Sequence, residues 1–255
     1  MSYLVAVPSY KRAQLCNLKT LTTLHAMGIN PNLVHVFVVP EEFETYKEAL
    51  DADKYSSIIA GRKGLVDQRD FICNYFPEGS HIVFLDDDIE RIDLSFTDYP
   101  NLHAFFLDAF DKCVEYHSNI FGVYPVYNPY FREKRTAITT GLSYIVGAFY
   151  GIINTLDECL NLTVTRETSQ KEDVERSLLY WLDRGVVVRF NRVGFKTKYY
   201  GTDGGGLGKF SDRLETMKVS AINLHQKYPE LTRIKIRKSG MYEVVLRVRR
   251  TSRSI

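Results

Sequence analysis

The apolar run Ile82-Val83-Phe84-Leu85 passes without a break into three aspartates, Asp86, Asp87 and Asp88. That junction constrains the fold more than any other feature of the chain. Four consecutive apolar residues predict a strand buried on both faces, and three carboxylates place its carboxyl end at a polar, accessible edge. The residues before it alternate in the same style. Leu4–Pro8 is a short apolar strand, 14–27 has helical spacing, 33–39 is a strand ending at Pro40, and 41–50 is a polar-faced helix. Ser57–Ala60, a Gly-Arg-Lys-Gly loop and a helix over 65–76 then lead to His81–Leu85. Short strands alternating with helices predict a mainly parallel sheet covered on both faces. Ligands of such sheets bind beyond the carboxyl ends of the strands, where Ser9, Gly61 and Asp86 fall.

The second half is less regular. Residues 102–117 read as an amphipathic helix, and 121–154 as an aromatic, strand-like stretch with glycines at 122, 141, 147 and 151. A helix over 171–184 gathers Val174, Leu178, Trp181 and Leu182 on one face. Strands at 186–191 and 195–200 precede the loop Gly201-Thr202-Asp203-Gly204-Gly205-Gly206. Ser211 can cap a helix running to about Gln226, and 233–250 alternates around Ser239-Gly240 as a hairpin.

A length of 255 residues suits one compact domain with a small C-terminal extension, here 1–207 and 208–255. The start MSYLVAVPSYKR is not a signal peptide, and no stretch approaches the roughly 18–20 apolar residues of a membrane span. The expectation is a soluble protein of the cytoplasm, or of the host cytoplasm if the chain is viral, with no membrane partner. The four cysteines lack C-x-x-C spacing and read as reduced core residues. From Gly208 onward twelve Lys and Arg face four Asp and Glu, while the remainder is net acidic. A basic end on an acidic body suggests a polyanionic partner, or simply a solvated surface.

Three adjacent carboxylates repel one another unless a cation lies between them. Their oxygens suit Mn²⁺ or Mg²⁺, held by one or two carboxylates together with phosphate oxygens. Alternation along an extended segment would let Asp86 and Asp88 act together as metal ligands; an acidic capping turn is the plainer alternative. Pro8-Ser9-Tyr10 ends the first strand where the chain must turn over a crevice. Tyr10 can stack on a nucleobase and Arg12 can meet a phosphate. Gly64 precedes Arg69 by five residues, which makes Arg69 a candidate for ordering the aspartates or a diphosphate. Glu172-Asp173 opens a helix, where carboxylates are favoured by the dipole and where one of them can also serve as a general base.

Together, P-S-Y-x-R at the first strand, G-x-x-x-x-R on a helix, and a strand ending in DDD resemble a metal-dependent glycosyltransferase of the GT-A type. That fold is α/β: a Rossmann-like, mainly parallel sheet flanked by helices, here with a small basic helix-plus-hairpin extension. Arg69-Asp70 stands where the family usually has Arg-Asn. The resemblance implies a UDP-sugar donor held by Pro8, Ser9, Tyr10, Arg12, Gly64, Arg69, Asp86 and Asp87, with metal on Asp86 and Asp88. It also implies catalysis by Asp173, with Glu172 second. Gly204, Gly205 and Gly206 would close over the donor as a mobile loop.

The strings GGGLGKFSDR and KYP further resemble the TET-associated glycosyltransferases of phages and some eukaryotes, which are thought to glycosylate hydroxymethylated pyrimidines in DNA. That resemblance implies transfer to a 5-hydroxymethylated pyrimidine in DNA, 5-hydroxymethylcytosine first. Lys235, Arg237, Arg247 and Arg249 alternate with apolar residues in the hairpin and would lie along phosphates. A glycan or protein acceptor is the alternative within the class. A non-catalytic nucleic-acid-binding protein on a transferase-like fold is the alternative outside it. A nucleotidyltransferase also uses an acidic pair, but its glycine-rich N-terminal phosphate loop is missing.

Overall fold

The computed structural model describes residues 2–156, 170–197 and 210–247. Its centre is an eight-stranded sheet in the order β3-β2-β1-β4-β8-β6-β9-β7. The strands are β1 (Leu4–Pro8), β2 (Val34–Val38), β3 (Ser57–Ala60), β4 (His81–Leu85), β6 (Ile120–Val123), β7 (Ile138–Thr139), β8 (Phe149–Ile153) and β9 (Val188–Phe190). Strands β3, β2, β1 and β4 are mutually parallel, and β9 is parallel to β6. Strand β8 runs antiparallel to both β4 and β6, and β7 runs antiparallel to β9. The carboxyl ends of β1, β4, β6 and β9 therefore share one edge of the sheet.

Alternation within the strands explains why both faces are covered. In β4, Val83 and Leu85 join one apolar cluster while Ile82 and Phe84 join the other. In β1, Val5 and Val7 face one way and Ala6 the other. The first face is covered by α5 (Leu102–Glu115), whose Asn101 cap accepts from the Ala104 amide at 2.8 Å and which buries Phe105, Phe106 and Phe110. The second is covered by α4 (Leu65–Tyr75) and α6 (Glu172–Arg184), with Ile72 and Tyr180 buried there. Acidic residues fill the first turn of α6, and Gly185, at φ 71°, ends it in the left-handed conformation that glycine adopts without cost. Leu182, expected on the buried face of this helix, is half exposed in its last turn.

The helix expected over 14–27 is broken into three parts. It starts as α1 (Ala13–Cys16), widens into a π-helical turn over Asn17–Leu21, and resumes as α2 (Thr22–Ala26). A short α3 (Phe43–Ala49) follows β2. The stretch 121–154 is not one strand region: β6 and β8 lie side by side and antiparallel, while β7 stands at the sheet edge beyond β9. Strand β5 (Arg91–Asp93), not expected, pairs with β10 (Gly194–Lys196).

At the C-terminal end, α7 (Phe210–Lys227) and the hairpin β11 (Thr232–Ile236) and β12 (Tyr242–Leu246) pack on α6. Leu224, Val244 and Leu246 meet Val174 and Leu178 there. Among the described residues no helix is long and apolar enough to cross a membrane.

Candidate active site

The acidic turn is held from beneath by the π-helical segment. Thr20, fully buried, donates its hydroxyl to the Asp86 carbonyl at 2.6 Å and accepts from the Ile89 amide at 2.9 Å. The Asp86 amide donates to the Ala148 carbonyl at 3.0 Å, which extends the β4–β8 pairing by one bond. A π-turn displaces side chains from ordinary helical positions, and such turns recur at functional sites.

Each aspartate faces different partners. Asp87 accepts from Ser9 Oγ at 2.5 Å, and Ser9 in turn meets the Tyr46 hydroxyl at 2.6 Å. Arg12 Nη1 lies 3.4 Å from both Asp87 and Asp88, and the Thr197 hydroxyl donates to Asp88. Asp86 faces Arg69 at 3.1 Å. Period-two alternation would have paired Asp86 with Asp88. The chain turns after Leu85 instead of staying extended, so Arg12 bridges the neighbours Asp87 and Asp88.

Arg69 ties this turn to α6. It is 4% exposed and donates to Asp86, to the Gly147 carbonyl at 2.7 Å and to Glu172. Glu172 also accepts from Arg176, one helical turn on, so both its oxygens are engaged. Gly147 makes the close approach possible: a Cβ there would lie 2.7 Å from Glu172 Oε1 and 3.2 Å from Arg69 Nη1. Asp173 points elsewhere and accepts from the Tyr144 hydroxyl.

These groups open on one cavity of about 430 Å³. Pro8, Ser9, Tyr10 and Arg12 line it from the β1 end; Arg62, Lys63, Gly64 and Arg69 from the α4 side; Asp86, Asp87 and Asp88 from β4; and Glu172 and Asp173 from α6. The Lys63 ammonium sits 5.9 Å from the Tyr10 ring centre. Burial pushes the Asp86 carboxyl up to about 7, with Arg69 opposing and the neighbouring carboxylates adding. Asp87 is pushed up to about 6 by burial, against the Ser9 hydrogen bond and Arg12. Burial also works against charge on Glu172, but Arg176 and Arg69 outweigh it and hold its carboxyl below the ordinary range. Asp173 is raised by burial and then by the Glu172 charge. One carboxylate is thus locked in its ionised form and its neighbour holds its proton more tightly, an arrangement that separates a structural role from a proton-accepting one.

Tyr46, Thr20, Gly147, Arg176 and Thr197 carried no functional reading in the sequence, and Tyr144 reads there only as an aromatic that could line the entry for a base or sit in the core. Only Arg176 left a usable signal, as the i+4 partner of Glu172. Gly204, Gly205, Gly206 and Arg249 lie outside the described residues. In the hairpin Lys235 and Arg247 are exposed, while Arg237 pairs with Glu243 at 2.7 Å. Glu243 stands directly opposite Lys235, so the expected cationic face contains a carboxylate.

A crevice at the carboxyl edge of a mostly parallel sheet, floored by carboxylates and rimmed by cations, defines an α/β protein built to hold a polar ligand at its strand ends. The fold is of the GT-A type. It is similar to that of S. aureus TarS, with a TM-score of 0.51 at 18% identity over 88% of this chain and 40% of TarS. It is also similar to a mycobacterial protein, with a TM-score of 0.52 at 12% identity over 96% of this chain and 83% of that one. The mannosyltransferase PcManGT of Pyrobaculum calidifontis, in complex with GDP-Man and Mn²⁺, matches less well, with a TM-score of 0.48 at 13% identity over 89% of this chain and 64% of that one. This chain spans less than half the length of TarS. No protein-family model and no curated protein matches the sequence.

Proposed function

We propose that the chain is a glycosyltransferase that moves a sugar from a UDP-sugar to a hydroxyl group. The observation that carries this reading is the meeting of Asp86–Asp88, Arg12, Arg69 and Asp173 in one cavity of a GT-A fold. Tyr10 offers a face for the base. Arg12, Arg62 and Lys63 lie where a diphosphate would need cations. Asp173, its carboxyl raised and its orientation fixed by Tyr144, accepts the proton of the acceptor hydroxyl. As that hydroxyl oxygen bonds to the anomeric carbon, the bond from that carbon to the phosphate oxygen breaks and UDP departs. Glu172 is the positioning residue: with both oxygens engaged by Arg69 and Arg176, it fixes the floor on which Asp86 and Asp173 stand.

The donor set suits a divalent cation, Mn²⁺ or Mg²⁺. Asp86 and Asp88 offer hard oxygen ligands, and burial keeps the Asp86 and Asp87 carboxyls raised despite Arg69 and Arg12, so a bound cation would favour their ionised forms. Among the described residues no three His, Cys, Asp or Glu side chains form a cation cage. Phosphate and water oxygens would share the coordination with Asp86 and Asp88. Such a cation would supply charge stabilisation for the departing diphosphate.

For the acceptor we propose a 5-hydroxymethylated pyrimidine in DNA, 5-hydroxymethylcytosine first. The resemblance of GGGLGKFSDR to the TET-associated enzymes and the basic C-terminal end support it. A base must leave the stack to reach a cavity of this kind, so single-stranded or flipped DNA is the reactive form. Calorimetry of UDP with Mn²⁺ on wild type and Asp88→Asn tests the donor half; equal affinity and equal metal dependence in the two proteins would remove the metal role. Mass spectrometry of nucleosides, after DNA containing hydroxymethylcytosine is incubated with protein, Mn²⁺ and a panel of UDP-sugars, tests the acceptor half. A sugar adduct on the modified base is expected, and its absence with every sugar would overturn the acceptor assignment.

A further inference from the structure

A second charged cluster lies on the same edge of the sheet as the candidate site. Tyr124 follows β6, and its amide donates to the Phe190 carbonyl at 3.1 Å, continuing the β6–β9 pairing. Two guanidinium groups flank its ring, Arg135 at 4.3 Å and Arg189 at 5.5 Å from the centre. Arg192 joins them by donating to the Arg135 carbonyl at 2.8 Å. Among the described residues none of these three arginines forms an ion pair with a carboxylate. Arg132, beneath them, is different: it is fully buried and neutralised by Asp93. Arg135 and Arg189 thus share one ring with no carboxylate paired to either among the described residues, a place that favours an anion. Burial and then the Arg135 charge pull Arg189 below its ordinary value, with only the Tyr124 hydroxyl opposing.

The cluster connects to the cavity through Tyr144, one of the residues that line it. Arg189 Nη1 donates to the Tyr144 carbonyl at 3.4 Å, and the Tyr144 hydroxyl holds Asp173. One residue therefore separates the unneutralised guanidinium from the proposed base. The turn that carries Arg135 also presents aromatic surface: Tyr130 is 81% exposed and Phe131 is 48% exposed, ring edge to ring face. Exposed rings beside unpaired arginines suit an unstacked nucleic-acid strand, whose phosphates need cations and whose bases need flat apolar partners.

We propose that Arg135, Arg189 and Arg192, around Tyr124, form a phosphate-binding site that holds a single nucleic-acid strand next to Asp173. This rests on the transferase reading only for its meaning; the binding itself needs no donor. It adds a contact at the β6–β9 end of the sheet to the one proposed at the basic C-terminal end. Arg135 is exposed, so Arg135→Ala should fold as wild type, with unchanged affinity for UDP and Mn²⁺.

The test is equilibrium binding of a fluorescent single-stranded oligonucleotide across a salt series, without donor, for wild type, Arg135→Ala and Arg135→Ala/Arg189→Gln. Each lost phosphate contact should lower the log–log salt slope by roughly 0.7 on a single strand, and the double variant should bind about tenfold or more weakly. If the double variant does not fold, Arg135→Ala/Arg192→Ala takes its place, with the same expectation. Equal affinity and slope in all proteins would overturn the site. An abasic strand or polyphosphate binding as tightly as the normal strand would overturn the assignment to nucleic acid. Loss of UDP binding in wild type, with the DNA results intact, would remove the transferase reading while leaving this site in place.

Discussion

Gly147→Ala should damage this protein through a single methyl group. The added Cβ would stand 2.7 Å from Glu172 Oε1, 3.2 Å from Arg69 Nη1 and 3.3 Å from the Asp173 Cβ. A carbon and an oxygen need roughly half an ångström more than the first of these distances, by ordinary van der Waals spacing. None of the neighbours can simply swing away. Glu172 is engaged by Arg69 and Arg176, and Arg69 is itself held by Asp86 and the Gly147 carbonyl. Relief must come from backbone movement or from stretching a buried ion pair. Overpacking of this kind costs about 1–3 kcal/mol. For a chain of this size that corresponds to a fall in Tm of roughly 2–12 °C, at about 2–4 °C per kcal/mol. UDP affinity should fall as well, because Arg69 and Asp86 move together. Gly141→Ala is the control, since nothing lies within 4 Å of a Cβ there, and it should stay within about 0.5 kcal/mol of wild type. Urea unfolding of the three proteins decides the matter: if Gly147→Ala is as stable as Gly141→Ala, the close approach at Gly147 is not what holds the floor of the cavity.

Thr20→Val keeps the shape but removes the hydroxyl that serves both the Asp86 carbonyl and the Ile89 amide. A loss of about 1–3 kcal/mol, together with weaker UDP–Mn²⁺ binding, is expected by denaturation and calorimetry; unchanged donor binding would mean that the acidic turn holds its shape unaided. Asp173→Asn should leave UDP affinity near wild type and lower turnover by about 10² or more in a transfer assay; a near-wild-type rate would return Asp173 to a helix-capping role and favour a retaining mechanism. The pH dependence has a definite sign. Asp86 and Asp87 hold protons in the folded protein up to about 7 and 6, well above ordinary carboxylates. Their contribution to stability is therefore greatest below the unfolded carboxylate range and is lost as pH rises through 6 and 7. A bound divalent cation with UDP should cancel that loss, so melting curves between pH 5.5 and 7.5 with and without Mg²⁺ and UDP should diverge as pH rises; parallel curves would count against a cation at these carboxylates.

Much of the first half was legible because its signals are local. The apolar strands, the alternation with helices and the acidic end of β4 can all be read in short windows, and Ser9, Arg12, Arg69 and the three aspartates do line one cavity. The parts that were not legible depend on distance in the chain. The antiparallel course of β8 between β4 and β6 is a matter of pairing, and nothing in the Phe149–Ile153 sequence distinguishes it. Glu172 and Asp173 are neighbours with the same chemistry. They are told apart by Arg69, over a hundred residues upstream, by Arg176 one helical turn on, and by the Tyr144 hydroxyl. Thr20 looks like an ordinary helical threonine until the π-turn places it under the acidic turn.

The bridge from Arg69 to Glu172 also bears on the order in which the chain assembles. Every donor-side group proposed from β1, α4 and β4 is made before residue 100 leaves the ribosome, and Asp86 is among them, yet the second carboxylate on Arg69, Glu172, arrives only with α6. Until then only Asp86 faces that guanidinium, and burying it with its pairing incomplete is costly. The first half should therefore dock α4 only loosely during synthesis, and the crevice should close late, as a long-range event slow to form. Pulse-labelling hydrogen exchange during refolding would show this as α4 amides protected together with those of α6 and after those of β1 and β4; early protection of α4 would contradict it. In a protein built this way the crevice, and with it any premature ligand trap, stays unfinished until α6 has been made.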